Sequence, residues 1–312
     1  GVLFATRAIF RNRYLKNHQI DTVIGIDESF TLNIGGIKQY FNVRGESTSN
    51  PLVLFLHGGP GSPVIPIMHM YQSHWESFAT VINWDQRNAG KTYYLNDSAE
   101  VYDTLTLNQM IEDVYEVVEA MKERYQQNDL IIIGHSWGSI LGTIYAKTYP
   151  DTILGYIGIG QMINAAEGDR LAVAEAIIKA QEKGASNDVE TLSKLSNYSL
   201  ADAEFDKKNF HTMRSLTTKY LAPDVRNVSL WQIFTSPYYK LADLQFFLLD
   251  SFATQKPLLD IIAFSFDARE LTTEYEIPIF YICGEQDWYT PTALVSEYYQ
   301  TIQAPKKEFY VI

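Results

Sequence analysis

The sequence predicts an α/β protein: a mostly parallel sheet flanked by helices, with an inserted helical cap. Three observations predict it. Short continuous apolar runs such as Leu52-Val53-Leu54-Phe55-Leu56 suit strands buried on both faces. Segments of helical period separate these runs, and strands alternating with helices imply parallel crossovers. The alternation then fails once. Between Ile159 and Ile277 lie 117 residues, far more than one crossover helix requires.

The elements follow in order. From Gly1 to Gln19 there is no acidic residue, while Arg7, Arg11, Arg13 and Lys16 are basic. Val2-Leu3-Phe4-Ala5, Ala8-Ile9-Phe10 and Leu15 add apolar positions, so residues 1–20 read as a basic amphipathic segment packed on the protein's own body. The same pattern also suits an anionic membrane surface, or the basic flank of a spanning helix. Two β-rich stretches, Thr22–Leu32 and Ile37–Val43, flank Gly35-Gly36 and predict a hairpin. Residues 51–56 and Thr80–Trp84 predict buried strands. Thr106 with Gln109 forms a capping box, opening a helix whose positions Leu107, Met110, Ile111, Val114, Val118 and Met121 follow the 3.6 period. Leu130–Ile133 is a further strand, and Ser139–Tyr149 a helix ended by Pro150. Strands at Ile153–Ile159 and Pro278–Cys283, a helix after Pro291 and a last strand at Glu308–Ile312 complete the pattern.

This divides the chain into a core of residues 21–160 and 274–312 and a helical cap of residues 161–273. Ala165–Lys183 is Ala-rich and helical in period. The cap also carries Phe205, Phe210, Tyr220, Trp231, Phe234, Tyr238, Tyr239, Phe246 and Phe247. Most of these are expected in the cap's core, with some lining a pocket beneath it.

Composition narrows the function. With 46% apolar and 20% charged residues over 312 positions, disordered and low-complexity classes are excluded. A net charge of −12 argues against a nucleic-acid partner. The single Cys283 allows no intramolecular disulfide, and no Cys/His spacing suggests a metal. No cofactor is expected. The location expected is the cytoplasm, with residues 1–19 as a segment able to associate with a membrane.

The chemistry starts at Gly134-His135-Ser136-Trp137-Gly138. A G-x-S-x-G between a buried strand and a helix lifts a serine hydroxyl above the sheet on a strained turn, with the helix N-terminus aimed at the site. His57-Gly58-Gly59-Pro60-Gly61 follows the first buried strand at its carboxyl end, where open α/β sheets place their sites. Acyl transfer needs N–H donors for an oxyanion, one from the residue after the nucleophile and one from a glycine-rich loop.

At these residues the chain resembles the α/β-hydrolase superfamily and, within it, the proline iminopeptidase family of serine peptidases. The family's H-G-G-P-G loop is matched by His57–Gly61. Its D-Q-R-G-x-G-x-S stretch is approached by Asp85-Gln86-Arg87-Asn88-Ala89-Gly90-Lys91-Thr92. Its serine followed by tryptophan is matched by Ser136-Trp137-Gly138-Ser139, and its late G-x-x-D and Thr-Pro by Gly284-Glu285-Gln286-Asp287 and Thr290-Pro291. The resemblance covers about residues 30–160 and 275–312. It implies Ser136 as nucleophile, Asp287 as triad carboxylate, and Gly59 and Trp137 as oxyanion donors. Asn88 stands where the family has glycine. The family's W-x-x-W-E box, whose glutamate holds the substrate's amino terminus, is absent from the cap. Glu167, Asp169, Glu204, Asp206 and Asp267 remain as candidate ammonium ligands.

The order in this fold is Ser, then Asp or Glu, then His. The six histidines are His18, His57, His69, His74, His135 and His211, and none follows Asp287. The resemblance places the base in the loop beyond the last strand, so a histidine is expected after Ile312; His211 is the alternative base. Three functions follow. The first is a serine aminopeptidase of proline iminopeptidase type, acting on a short peptide through an acyl-enzyme. The second is an esterase, thioesterase or lactonase with the same triad and a small-molecule substrate. The third is a non-catalytic α/β-hydrolase scaffold.

Overall fold

A computed structural model describes residues 1–196, 206–222, 229–249, 251–271 and 273–312. Eight strands form one sheet: β1 Ile26–Ile34, β2 Ile37–Gly45, β3 Leu52–Leu56, β4 Thr80–Asp85, β5 Leu130–His135, β6 Gly155–Ile159, β7 Ile279–Cys283 and β8 Lys307–Val311. Their order is β1-β2-β4-β3-β5-β6-β7-β8. The β1–β2 and β2–β4 pairings are antiparallel, and the other five are parallel. Every residue of β3 and β4 is buried; β3 is the uninterrupted apolar strand expected of one covered on both faces, while β4 also buries Thr80, Asn83 and Asp85.

The hairpin starts later than the sequence predicts. Val23 and Ile24 are β-branched, yet they are 88% and 60% exposed. Asp21 holds them in a turn: its side chain accepts from the Val23 N–H at 3.0 Å, and its carbonyl from the Gly25 N–H at 2.7 Å. This local Asp-to-backbone bonding outcompetes strand propensity.

The helices up to β6 are α1 Val2–Asn17, α2 Gly90–Tyr94, α3 Ser98–Tyr102, α4 Leu107–Tyr125 and α5 Trp137–Thr148. Thr106 caps α4, its hydroxyl accepting from the Gln109 N–H at 3.1 Å. The reciprocal half of the capping box is not made; the Gln109 amide donates to Asp113 Oδ1 at 2.9 Å instead. Asp113 sits on the buried face of α4, and an adjacent side-chain donor is worth more to a buried carboxylate than to an exposed cap. No residue of α1 is buried. It is fastened by Arg7, which donates to the carbonyls of Phe234 (2.7 Å) and Tyr239 (2.8 Å), and by Arg11, which donates to those of Ser236 and Tyr239. Among the described residues no helix is long and apolar enough to cross a membrane.

Between β6 and β7 the described residues form α6 Ala165–Glu182, α7 Ser186–Leu195, α8 Lys207–Leu221, α9 Leu230–Phe234, α10 Ser251–Phe264 and α11 Ala268–Leu271. Ala172, Val173, Ala176, Leu192, Met213 and Tyr220 give α6, α7 and α8 a core of their own. Tyr239 and Phe246 are buried, whereas Trp231 is exposed. Phe205 and Glu204 lie outside the described residues. The last helix, α12 Thr292–Thr301, leads into β8.

Candidate active site

Three strand ends build the site. At the end of β5, Ser136 has φ 52° and ψ −115°, a left-handed conformation that a non-glycine residue adopts only where the surroundings impose it. Its N–H donates to Ile159 O at 3.0 Å, and α5 begins at the next residue. The turn is tight because the following helix presses on β3. A Cβ at Gly138 would lie 2.0 Å from the Leu56 carbonyl oxygen. Ser136 thus sits half-buried at a helix N-terminus, where the helix dipole favours developing negative charge.

After β3 comes the glycine-rich loop. Gly59 has φ +117°, and a Cβ there would meet the Gly61 and Ser62 N–H nitrogens at 2.7 Å. Gly59, Ser62 and Ser136 line one cavity of about 350 Å³, covered by Met162, Asp169, Phe210, Arg214 and other cap residues. The structure therefore brings Gly59 and Ser136 together. Trp137 follows directly at the helix start, with its side chain fully buried.

A rigid underlayer supports this cavity. His57 is buried; its Nδ1 donates to Gly58 O at 2.8 Å, and its Nε2 accepts from the Gln86 N–H at 3.3 Å. Burial pushes its pKa down to about 4, so the ring is neutral and structural. The Gln86 amide donates to His57 O at 3.2 Å and its oxygen accepts from the Trp137 indole at 3.1 Å. Arg87 grips Asp113 through two 2.8 Å bonds. Asn88 takes φ 57°, the glycine-like geometry asparagine tolerates, and donates to Thr254 O at 2.9 Å. Asp85 accepts from the Lys91 N–H at 2.9 Å and from the Tyr239 hydroxyl; burial pushes its pKa up to about 7. The Asp85–Thr92 stretch is therefore scaffolding that joins elbow, glycine loop and cap.

Beyond β7, Asp287 is oriented by its own loop. Its Oδ1 accepts from the N–H groups of Tyr289 (2.9 Å) and Thr290 (3.0 Å), and its Oδ2 from the Thr290 hydroxyl (2.7 Å). Asp287 does not line the Ser136 cavity. It lines a neighbouring one of about 450 Å³ with Gly284, Tyr289 and Ile312, and Tyr289 is common to both.

The histidines do not complete the set among the described residues. His135 keeps an exposed edge; its pKa is lowered by the surrounding protein, with Asp287 opposing, and it makes no hydrogen bond to Ser136. His211 lines a separate open cavity with Asp188 and Thr191. The alternative base is thus on the wrong face of α8, since Phe210 and Arg214 are the residues that face Ser136.

Of the candidate acids among the described residues, only Asp169 lines the Ser136 cavity. Glu167 and Asp267 both pair with Arg269 at 2.6 Å, and Asp206 caps α8 by accepting from the Asn209 N–H at 3.1 Å. Arg214 and Tyr289 line the cavity without a signal in the sequence, because their positions depend on how α8 meets the loop after β7. No group of three or more His, Cys, Asp or Glu side chains among the described residues could hold a metal.

Residues 51–312 match the family model for the alpha/beta hydrolase fold. The chain is 30% identical over 284 residues to the probable aminopeptidase YbaC of Bacillus subtilis, covering 89% of this chain and 87% of that one. It is 23% identical to the proline iminopeptidase of Heyndrickxia coagulans, covering 90% and 88%. Among solved structures, the proline iminopeptidase-related protein of Thermus thermophilus superposes with a TM-score of 0.58 at 18% identity, covering 92% and 89%. An esterase of Exiguobacterium antarcticum superposes at 0.52 and 15% identity, covering 90% and 89%. The chain belongs to the α/β-hydrolase family, among its proline iminopeptidase-like members.

Proposed function

We propose that this hydrolase is a serine aminopeptidase that releases the N-terminal residue of a short peptide through an acyl-enzyme. The observation that carries the reading is Ser136, held at φ 52° in a covered cavity of about 350 Å³. That volume is at the low end for ligand sites, which suits one residue and not a long chain. The probable aminopeptidase named above supports the same reading.

In this mechanism Ser136 Oγ attacks the first peptide carbonyl, and the N–H groups of Gly59 and Trp137 stabilise the oxyanion. The C–N bond breaks as the amine leaves with the serine's proton, and water then hydrolyses the ester. The proton must pass through a base. Asp287, held by the N–H groups of Tyr289 and Thr290, is the carboxylate assigned to orient that base. Asp169 is the carboxylate placed to receive the substrate's ammonium group.

The second reading is an esterase, thioesterase or lactonase. It is favoured by one observation: Asp169 is already paired with Arg214 at 2.7 Å, which weakens its pull on an ammonium. Comparing aminoacyl nitroanilides with nitrophenyl esters of the same acyl group tests the two. Faster turnover of unblocked nitroanilides than of N-acetylated esters supports the peptidase; the reverse overturns it in favour of the esterase.

A further inference from the structure

The Ser136 cavity contains an ion pair that the proposed chemistry does not use. Arg214 on α8 places Nη2 2.7 Å from Asp169 Oδ1 on α6, and the two side chains are only 15% and 8% exposed. Both line the cavity with Ser136. Arg214 is also fixed in place by ring faces, its guanidinium carbon lying 5.2 Å from the Phe210 centroid and 4.6 Å from that of Tyr289. Its Nε is buried and has no hydrogen-bond acceptor among the described residues.

A guanidinium presents five donors in a planar fork that matches a carboxylate. The Asp169 contact engages Nη2, and Arg214 remains one of the residues that line the cavity. An apolar side chain there would cover the ion pair with no polar group to meet it. A lone ammonium drawn to Asp169 would face the like charge of Arg214. A residue carrying both charges meets neither penalty: its ammonium goes to Asp169 and its side-chain carboxylate to Arg214 where that side chain lines the cavity. Four charges then alternate in sign around one enclosed site, where screening by water is weak.

We infer that Arg214 is a specificity-determining residue and that the cavity selects an acidic N-terminal residue. This deepens the aminopeptidase reading and rests on it for the ammonium half. A purely structural ion pair between α6 and α8 would predict no dependence of binding on the ligand's side chain.

Calorimetric binding to the intact chain tests the inference without requiring turnover. The probes are the α-amides of L-glutamic acid, L-glutamine and L-leucine, and the N-acetylated glutamic acid α-amide. The glutamic acid amide should bind at least about tenfold more tightly than the leucine amide, with glutamine between them. Arg214→Gln should reduce that ratio to about two or less. Arg214→Lys, which keeps a cation beside Asp169, should retain most of the ratio and checks that the fold survives substitution here. Equal binding of the glutamic acid and leucine amides by the unaltered protein would overturn the inference, as would a ratio unchanged in Arg214→Gln. The acetylated probe separates recognition of the ammonium from recognition of the side chain. If acetylation costs nothing while the glutamic-to-leucine ratio holds, the amino-terminal reading falls and the role of Arg214 stands.

Discussion

The Trp137 indole donates to the Gln86 side-chain oxygen at 3.1 Å, and this hydrogen bond ties the elbow of Ser136 to the loop after β4. Gln86 also reaches the His57 carbonyl, so one amide spans the loops that follow three different strands. An oxyanion hole works only if its donors are fixed before charge develops, and this bridge ties Trp137, next to Ser136, to the start of the glycine-rich loop at His57.

Replacing Gln86 with leucine should therefore cost stability as well as reactivity. The buried indole N–H would lose its partner, at about 1–3 kcal/mol. Urea denaturation should show that loss, and the rate of fluorophosphonate labelling should fall with it. Unchanged stability would mean the bridge is not maintained in solution.

Asp85 predicts a pH dependence. Its folded pKa is raised from 3.8 to about 7, chiefly by burial, with Tyr239 and Lys91 opposing and Asp243 adding to the rise. The native state therefore holds a proton that the unfolded chain releases between about pH 4 and 7. The stability tied to that proton is complete below the unfolded value and is lost as pH rises through the folded one, by up to roughly 1.4 kcal/mol for each pH unit crossed. Asp85→Asn has no such proton. The melting temperature of the unaltered protein, measured relative to Asp85→Asn, should fall from pH 4 to pH 7 and then level off. A constant difference over that range would show that Asp85 is ionised throughout.

If Asp169 receives the substrate's ammonium, N-acetylation of a peptide should cost on the order of 2–5 kcal/mol in kcat/KM, the range for truncating one partner of a buried charge pair. Steady-state kinetics on free and acetylated forms of one peptide measures it directly. Equal rates would remove Asp169 from recognition.

Much of the fold is legible in the sequence. The runs that form β3 and β5 can be read because full burial demands continuous apolar residues, and the elbow because Gly138 sits where no side chain fits against Leu56. The start of β1 departs from its sequence pattern, since the Asp21 turn is decided by one side-chain oxygen and not by the β-branched residues it holds. The pairing of Arg214 with Asp169 is invisible in the sequence. Those residues are far apart in the chain, and their meeting depends on packing between α6 and α8 that no local pattern encodes. His211 stands as a candidate base in the sequence for the same reason: its position puts it on α8 but does not say which face of the helix turns inward.

Mapping fluorophosphonate modification by mass spectrometry on the intact protein tests the claim that Ser136 is the nucleophile. One adduct is expected, on the peptide containing Ser136. Ser136→Ala should carry none while keeping the melting temperature of the unaltered protein. An adduct on another residue, or labelling undiminished in Ser136→Ala, would contradict the account.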